Sequence, residues 1–309
     1  MEAKKSENNM NVNNPKISIG IPVYNGEKFI RKCIESVLQQ TNKNFELIIS
    51  DNASTDSTRK ICEEYLNKDN RIIFVRQDKN MGGGWNFNFL LQKAIGEYFV
   101  WVAADTFLLP EFLEKNIAVL ESQDKVVGCI SKIKIDSTYI DKFKTEKDVL
   151  KKIGLAYRPF DTLPITGNYM ERIRKYLKHF PWEMFYSVYR TEPLRKSFVR
   201  GYLLGKDYFV GNDASLVLNV LKYGEIQVVN DILLVSIPAG ASSKGMMSMT
   251  RKYSNSDMGR IFPFYPLTKW CAKNLGWKIF FRNIDHFLRL NLDGFILQIA
   301  AIYQKSKRL

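Results

Sequence analysis

Hydrophobic positions along the first hundred residues switch between two periods. Residues 16–23 (KISIGIPV) form a β-branched run closed by Tyr24, Asn25 and Gly26, which predicts a strand and a turn. Over residues 27–40 the apolar positions Phe29, Ile30, Cys33, Ile34, Val37 and Leu38 recur at helical spacing. Residues 45–50 (FELIIS) predict a short buried strand, 51–56 (DNASTD) a loop rich in capping residues, and 57–67 a second helix. A third strand at 71–76 (RIIFVR), a loop at 80–88 (NMGGGWNFN), a helix near 89–94 and a strand at 98–102 follow. Beyond about residue 125 the pattern loosens. Residues 125–135 and 225–236 read as strands, and 172–179 and parts of 202–223 as helical. Residues 139–158 are charged and without clear period, and 251–309 look helical in their last third.

Strand and helix alternate through the first half, which predicts an α/β domain with a mostly parallel central sheet flanked by helices. Such sheets bind ligands at the carboxyl ends of their strands. Polar residues stand at those ends: Tyr24 and Asn25 after the first strand, Asp51 after the second, Asp105 after the fourth. One loop aspartate is ordinary turn or cap chemistry, whereas polar groups after several successive strands favour a shared site.

Composition narrows the class. The chain has 309 residues, 45% hydrophobic and 25% charged, which excludes a mostly disordered or collagen-like chain. Its net charge of +14 favours anionic partners such as phosphorylated small molecules, nucleic acid or an acidic membrane leaflet. No Lys/Arg-aromatic RNA motif or recognition helix is present, so nucleic acid is not an expected partner. Cys33, Cys62, Cys129 and Cys271 are scattered without a CxxC pair and read as free thiols of a reducing compartment. Residues 1–15 are polar and Asn-rich, a floppy lead-in rather than a signal peptide, and no apolar run is long enough to span a bilayer. These features predict a cytoplasmic protein.

The run IGIPVYNGEKFIRKCIESVLQQTNKNFELIISDNASTDST resembles the opening of a family 2 glycosyltransferase. The likeness continues through NMGGGWNFN, GEYFVWVAAD and Pro110, and resumes at VGNDASLVLNVLKYGEI. It implies a GT-A-type, Rossmann-like fold over residues 16–245, with a donor half at 16–125, an acceptor half at 126–245 and a basic helical extension at 246–309. It implies an inverting transfer of a sugar from a nucleoside-diphosphate sugar, a UDP-sugar first of all. The acceptor would be a saccharide or lipid-linked saccharide hydroxyl, in glycan or surface polysaccharide biosynthesis.

Residue by residue, the resemblance places Pro22, Tyr24 and Asn25 in the turn lining the nucleotide pocket. Tyr24 is the residue able to stack on a base, although Asn25-Gly26 is also plain turn chemistry. Asp51 would accept a hydrogen bond from the base edge, while Asp56 mainly caps the next helix. Asn80, Gly82 and Asn86 belong to the glycine-rich stretch near the donor, where glycine lets backbone approach phosphate. Ala103, Ala104 and Asp105 occupy the slot of the family's DxD motif, where Ala104 and Asp105 would meet the donor and Asp105 would hold Mg²⁺ or Mn²⁺. The first carboxylate of that motif is absent. Asp213 would act as general base toward the acceptor hydroxyl, or serve only as an N-cap, with Asp207 as backup. An Arg-x-His expected after the strand at 232–235 lacks its His, so Lys244 or Arg251 would meet the diphosphate instead, or remain solvated charge. The incomplete motif also allows a degraded, nucleotide-binding scaffold. Residues 284–303 form an amphipathic pattern followed by Lys305, Lys307 and Arg308, suited either to an anionic membrane or to the protein's own core or a dimer contact.

Overall fold

Alternation within β1 (Ile17–Val23) sets the two faces of the sheet. Ile17, Ile19, Ile21 and Val23 point to one side and are buried, while Ser18, Gly20 and Pro22 leave the other side small. The next strand, β2 (Phe45–Asp51), is buried at every position, as expected for a parallel strand covered on both faces. The computed structural model describes residues 14–135, 162–201, 212–237 and 257–306. Most of the expected lead-in, the charged stretch at 139–158 and residues 202–211 of the expected helical run lie outside them.

Helices α1 (Ile30–Leu38), α2 (Thr58–Leu66) and α3 (Gly83–Lys93) alternate with β1, β2, β3 (Ile72–Arg76) and β4 (Tyr98–Trp101). There follow β5 (Thr106–Leu108), α4 (Phe112–Ser122), β6 (Val126–Ile135), α5 (Tyr169–His179), a 3₁₀ turn (Trp182–Tyr186), β7 (Val188–Arg190), α6 (Thr191–Gly201), α7 (Asn212–Val220) and β8 (Glu225–Ser236). Four helices close the described chain: α8 (Asp257–Ile261), α9 (Tyr265–Leu275), α10 (Trp277–Arg282) and α11 (Ile284–Ser306). The strands form one eight-stranded sheet in the order β3-β2-β1-β4-β7-β6-β8-β5. The block β3-β2-β1-β4 is wholly parallel, as is β6 with β8, whereas β7 and β5 enter antiparallel.

Two apolar cores cover the sheet. One packs α1, α2 and α4 against Ile17, Ile19, Ile21, Phe45, Leu47 and Val100. The other gathers α3, α5, α6 and α7 with Phe264, Leu267, Trp270, Leu275, Phe287 and Leu290 of the C-terminal helices. Trp101 anchors it, stacked on Phe185 at 4.8 Å and donating its indole N–H to Phe87 O at 3.0 Å. Gly20 is the contact point of α3: a Cβ there would lie 3.0 Å from Phe99 and 3.1 Å from Leu90. All four cysteines are buried and free, and burial raises each thiol, to about 12 for Cys62 and Cys129 and beyond that for Cys33 and Cys271.

The expected helix near 89–94 begins earlier, at Gly83, so two glycines of the triple-glycine run lie in its first turn. Gly82, with φ 89°, makes the bend that starts it. Asn86 explains the early start: it is buried, accepts from Ser50 Oγ at 2.5 Å and donates to Ser50 O at 3.0 Å, pinning the first turns of α3 to β2.

Candidate active site

Strand register brings the polar residues together. Val23 pairs with Asp51 and Asp51 with Arg76, so β1, β2 and β3 end on one line. The end of β4 joins them, since Val102 N–H donates to Gly20 O at 2.9 Å.

The turn after β1 and the loop after β2 are laced into one rim. Asn25 sits in the left-handed region with φ 52°. Its backbone N–H donates to Ser54 Oγ and its side-chain oxygen accepts from Thr55 N–H, both at 2.8 Å. Gly26 N–H donates to Thr58 Oγ1 at 2.8 Å and Glu27 N–H to Asp56 Oδ2 at 3.1 Å. Burial opposes ionisation of Asp56, but the hydrogen bonds from Thr58 and Glu27 prevail and hold its carboxyl below the usual range. Asp56 thus fixes the entry to α2, while Tyr24 stands half exposed above the rim.

Asp51 is fully buried. One carboxylate oxygen accepts from Ser54 N–H at 2.9 Å, and the other forms an ion pair with Arg76. The second guanidinium nitrogen of Arg76 donates to Ser54 O at 2.9 Å, closing a ring around the loop. The neighbouring Asn52 suspends the next loop: its Oδ1 accepts from Met81 N–H at 2.8 Å and its Nδ2 donates to Asn80 Oδ1 at 3.0 Å and Gly82 O at 3.2 Å. Sequence reasoning passed over Arg76 and Asn52. Both carry the signal that singled out Asp51, a polar side chain at or just past the carboxyl end of an apolar strand.

Ala103 to Asp105 complete the rim. Thr106 N–H donates to Ala103 O at 2.9 Å, making a turn, and the Cys33 thiol reaches the same carbonyl at 3.5 Å. A Cβ on Gly26 would fall 3.6 Å from Ala104 Cβ, so this turn abuts the turn after β1. Ile237 N–H donates to Asp105 O at 2.9 Å, which ties the end of β8 to the site. Pro22, Tyr24, Asn25, Asp51, Asn80, Gly82, Ala104 and Asp105 therefore share one edge of the sheet, with Asn86 buried beneath it. Among the described residues no group of three or more His, Cys, Asp and Glu gathers that could hold a metal ion. One carboxylate suits a hexacoordinate ion such as Mg²⁺, which keeps waters and takes substrate phosphates as its other ligands.

Asp213 lies on a different element, in the first turn of α7, half-buried. Beside it, among the described residues, Asn212 is buried with neither amide atom partnered, and Glu183 is buried with one oxygen held by Thr162 at 2.5 Å and the other unpartnered. Burial raises the Glu183 carboxyl above its usual range. Tyr176, also buried with an unpartnered hydroxyl, is raised by burial and then by Tyr189, Glu183 and Asp213. Asp207, Lys244 and Arg251 lie outside the described residues.

The chain is similar to known glycosyltransferases in sequence and in fold. An uncharacterized glycosyltransferase of Methanocaldococcus jannaschii is 33% identical over 144 residues, 45% of this chain and 50% of that protein. Glycosyltransferase GlyG of Streptococcus pneumoniae is 32% identical over 108 residues, 35% of this chain and 36% of its own length. The matched region thus spans half or less of these curated relatives. Among solved structures, Staphylococcus aureus TarS 1–349 in complex with UDP-GlcNAc superposes with a TM-score of 0.57 at 16% identity, covering 94% of this chain and 92% of that one. The mannosyltransferase PcManGT of Pyrobaculum calidifontis, in complex with GDP-Man and Mn²⁺, gives 0.56 at 16%, covering 94% and 74%. At such identity the likeness is one of fold. The model of glycosyl transferase family 2 matches residues 18–197, more than half of the chain. With the strand-end rim already in place, this chain belongs to glycosyltransferase family 2.

Proposed function

We propose that the protein moves a sugar from a nucleoside-diphosphate sugar, a UDP-sugar first of all, to a saccharide or lipid-linked saccharide hydroxyl with inversion, in polysaccharide biosynthesis. The observation that carries this reading is the single rim joining the ends of β1, β2, β3 and β4. A nucleotide seated there has an aromatic face at Tyr24, and the buried Asp51 would meet the base once the Ser54–Arg76 ring around the loop opens. Each Asp51 oxygen has one protein partner, and a carboxylate oxygen has lone-pair capacity for a second donor from the base. The amino end of α3, with Gly83 and Gly84 in its first turn, offers backbone N–H groups toward the diphosphate. TarS and PcManGT, solved with UDP-GlcNAc and with GDP-Man and Mn²⁺, support a nucleotide-sugar donor and a divalent ion.

Asp105 would hold the ion together with the donor's diphosphate. When bound, a divalent ion offsets the negative charge that develops on the leaving group. Asp213 takes the proton of the acceptor hydroxyl. That oxygen attacks the anomeric carbon as the bond to the diphosphate oxygen breaks, and a single displacement inverts the centre. The test is a panel of nucleotide sugars with Mn²⁺ or Mg²⁺, reading nucleoside-diphosphate release and a thermal shift with the free nucleotide. Release from one donor, abolished by EDTA, bears the reading out. A thermal shift without turnover on any donor or acceptor would leave a nucleotide-binding scaffold instead.

A further inference from the structure

Helix α11 is apolar on two opposite sides. Phe287, Leu290 and Gly294 face inward and are buried. Ile284, Leu288, Leu292 and Ile299 recur at intervals of four, four and seven residues, one outward stripe, and Leu288 is 67% exposed. The stripe extends onto α10, where Trp277 and Phe281 stack at 5.8 Å and are each 62% exposed. A helix apolar on an outward as well as an inward side leaves the outward side for an apolar phase or a partner, and an exposed patch of this kind marks an interaction surface.

The charge around the stripe selects the partner. Residues 257–306 hold seven Lys and Arg against three Asp. On the outer side of α10, Lys278 and Arg282 flank Trp277 and Phe281, and the side chains of Lys269, Lys273, Lys278 and Arg282 make no ion pair among the described residues. The acidic residues of α9–α11 are already answered, Asp285 by Arg174 at 3.1 Å and Asp293 by Arg289 at 3.9 Å. A symmetric contact between two copies would set this basic rim against itself. An anionic bilayer answers both features, with headgroups for the Lys/Arg rim and the acyl boundary for the aromatic and aliphatic stripe. No described helix is long and apolar enough to cross a membrane, so the contact is one of lying on the surface.

We propose that Trp277, Phe281, Ile284, Leu288, Leu292 and Ile299 form a docking face for an anionic lipid surface, rimmed by Lys278 and Arg282. The test is co-sedimentation of the full chain with phosphatidylcholine vesicles and with phosphatidylcholine–phosphatidylglycerol vesicles, at low and high salt. The expected result is binding to the anionic vesicles that weakens with salt, falls about tenfold or more in L288S/L292S, and loses its anionic preference in K278E/R282E. All four substituted side chains are outward, so circular dichroism and melting temperature should match the parent. Equal partitioning of parent and L288S/L292S would overturn the proposal. So would absence of vesicle binding alongside a dimer, seen by light scattering, that L288S/L292S dissolves, because the face would then seat a second copy.

Discussion

The Asp51–Arg76 pair lends itself to a quantitative test. Among the described residues Arg76 is the one cation paired with a fully buried carboxylate, and it also carries a hydrogen bond to Ser54 O. In Arg76→Ala, Asp51 keeps only its bond from Ser54 N–H. Removing one partner of a fully buried pair costs about 3–5 kcal/mol. Arg76 itself is one-third exposed, so water reaches the pair and the expected cost falls to about 2–3 kcal/mol. In Asp51→Asn the uncompensated charge is absent, so the same Arg76→Ala change on that background should cost ~1 kcal/mol, the worth of the bond to Ser54 O. The double-mutant cycle should therefore return a coupling of about 1–2 kcal/mol. The assay is urea unfolding followed by circular dichroism, with m-values checked for constancy. Arg76→Lys keeps the charge but not the two-pronged reach, and should fall between parent and alanine. A cost under about 0.5 kcal/mol for Arg76→Ala, or strict additivity with Asp51→Asn, would refute the view that this pair holds the loop after β2.

Three further outcomes follow from the site. Asp213→Asn keeps the helix start and should leave melting temperature and nucleotide affinity intact while kcat falls by about 10²–10⁴-fold; a near-normal kcat would remove Asp213 as base. Asp105→Ala should abolish the Mn²⁺-dependent part of nucleotide binding, read by titration calorimetry with and without EDTA, and a metal response equal to the parent's would reassign the ion. The raised carboxyl of Glu183 means the folded state binds its proton more tightly than the unfolded state. That group therefore favours folding at low pH and costs stability as pH climbs through the raised value. Glu183→Gln should flatten the fall in melting temperature as pH climbs out of the ordinary carboxylate range, and an unchanged slope would place the burden on another group.

The sequence made the donor half readable because its strands are buried on both faces. β1 and β2 are β-branched segments buried along their length, and the polar residues at or just past their ends mark the site edge. The strand at Glu225–Ser236 was legible from its β-branched and aliphatic residues, although its middle is exposed. What escaped depends on distant partners. β5 and β7 are three residues each, and they exist because β8 and the β4–β6 gap accept them. The start of α3 was hidden by its glycines, which look like a loop until Asn86 is seen fastened to Ser50. At the site, Asp51 stood out as a carboxylate where a ligand was expected. Arg76 looked like the tail of a strand because nothing local shows that it turns back to the carboxylate beside it. The amphipathic pattern of residues 284–303 was plain, but Trp277 and Phe281 belong to a separate helix that ends at Asn283, and only the packing joins the two stripes.

The burial of all four cysteines has a practical consequence. Thiol labelling proceeds through the thiolate, and each native thiol is both shielded and held well above the pH of labelling chemistry. The native chain is thus a cysteine-silent background without any engineering. A single Leu288→Cys or Leu292→Cys placed on the outward stripe would carry a spin label or an environment-sensitive dye with no competing site. Accessibility of that label to oxygen and to a water-soluble relaxer would then give its immersion depth on a vesicle, residue by residue along α11.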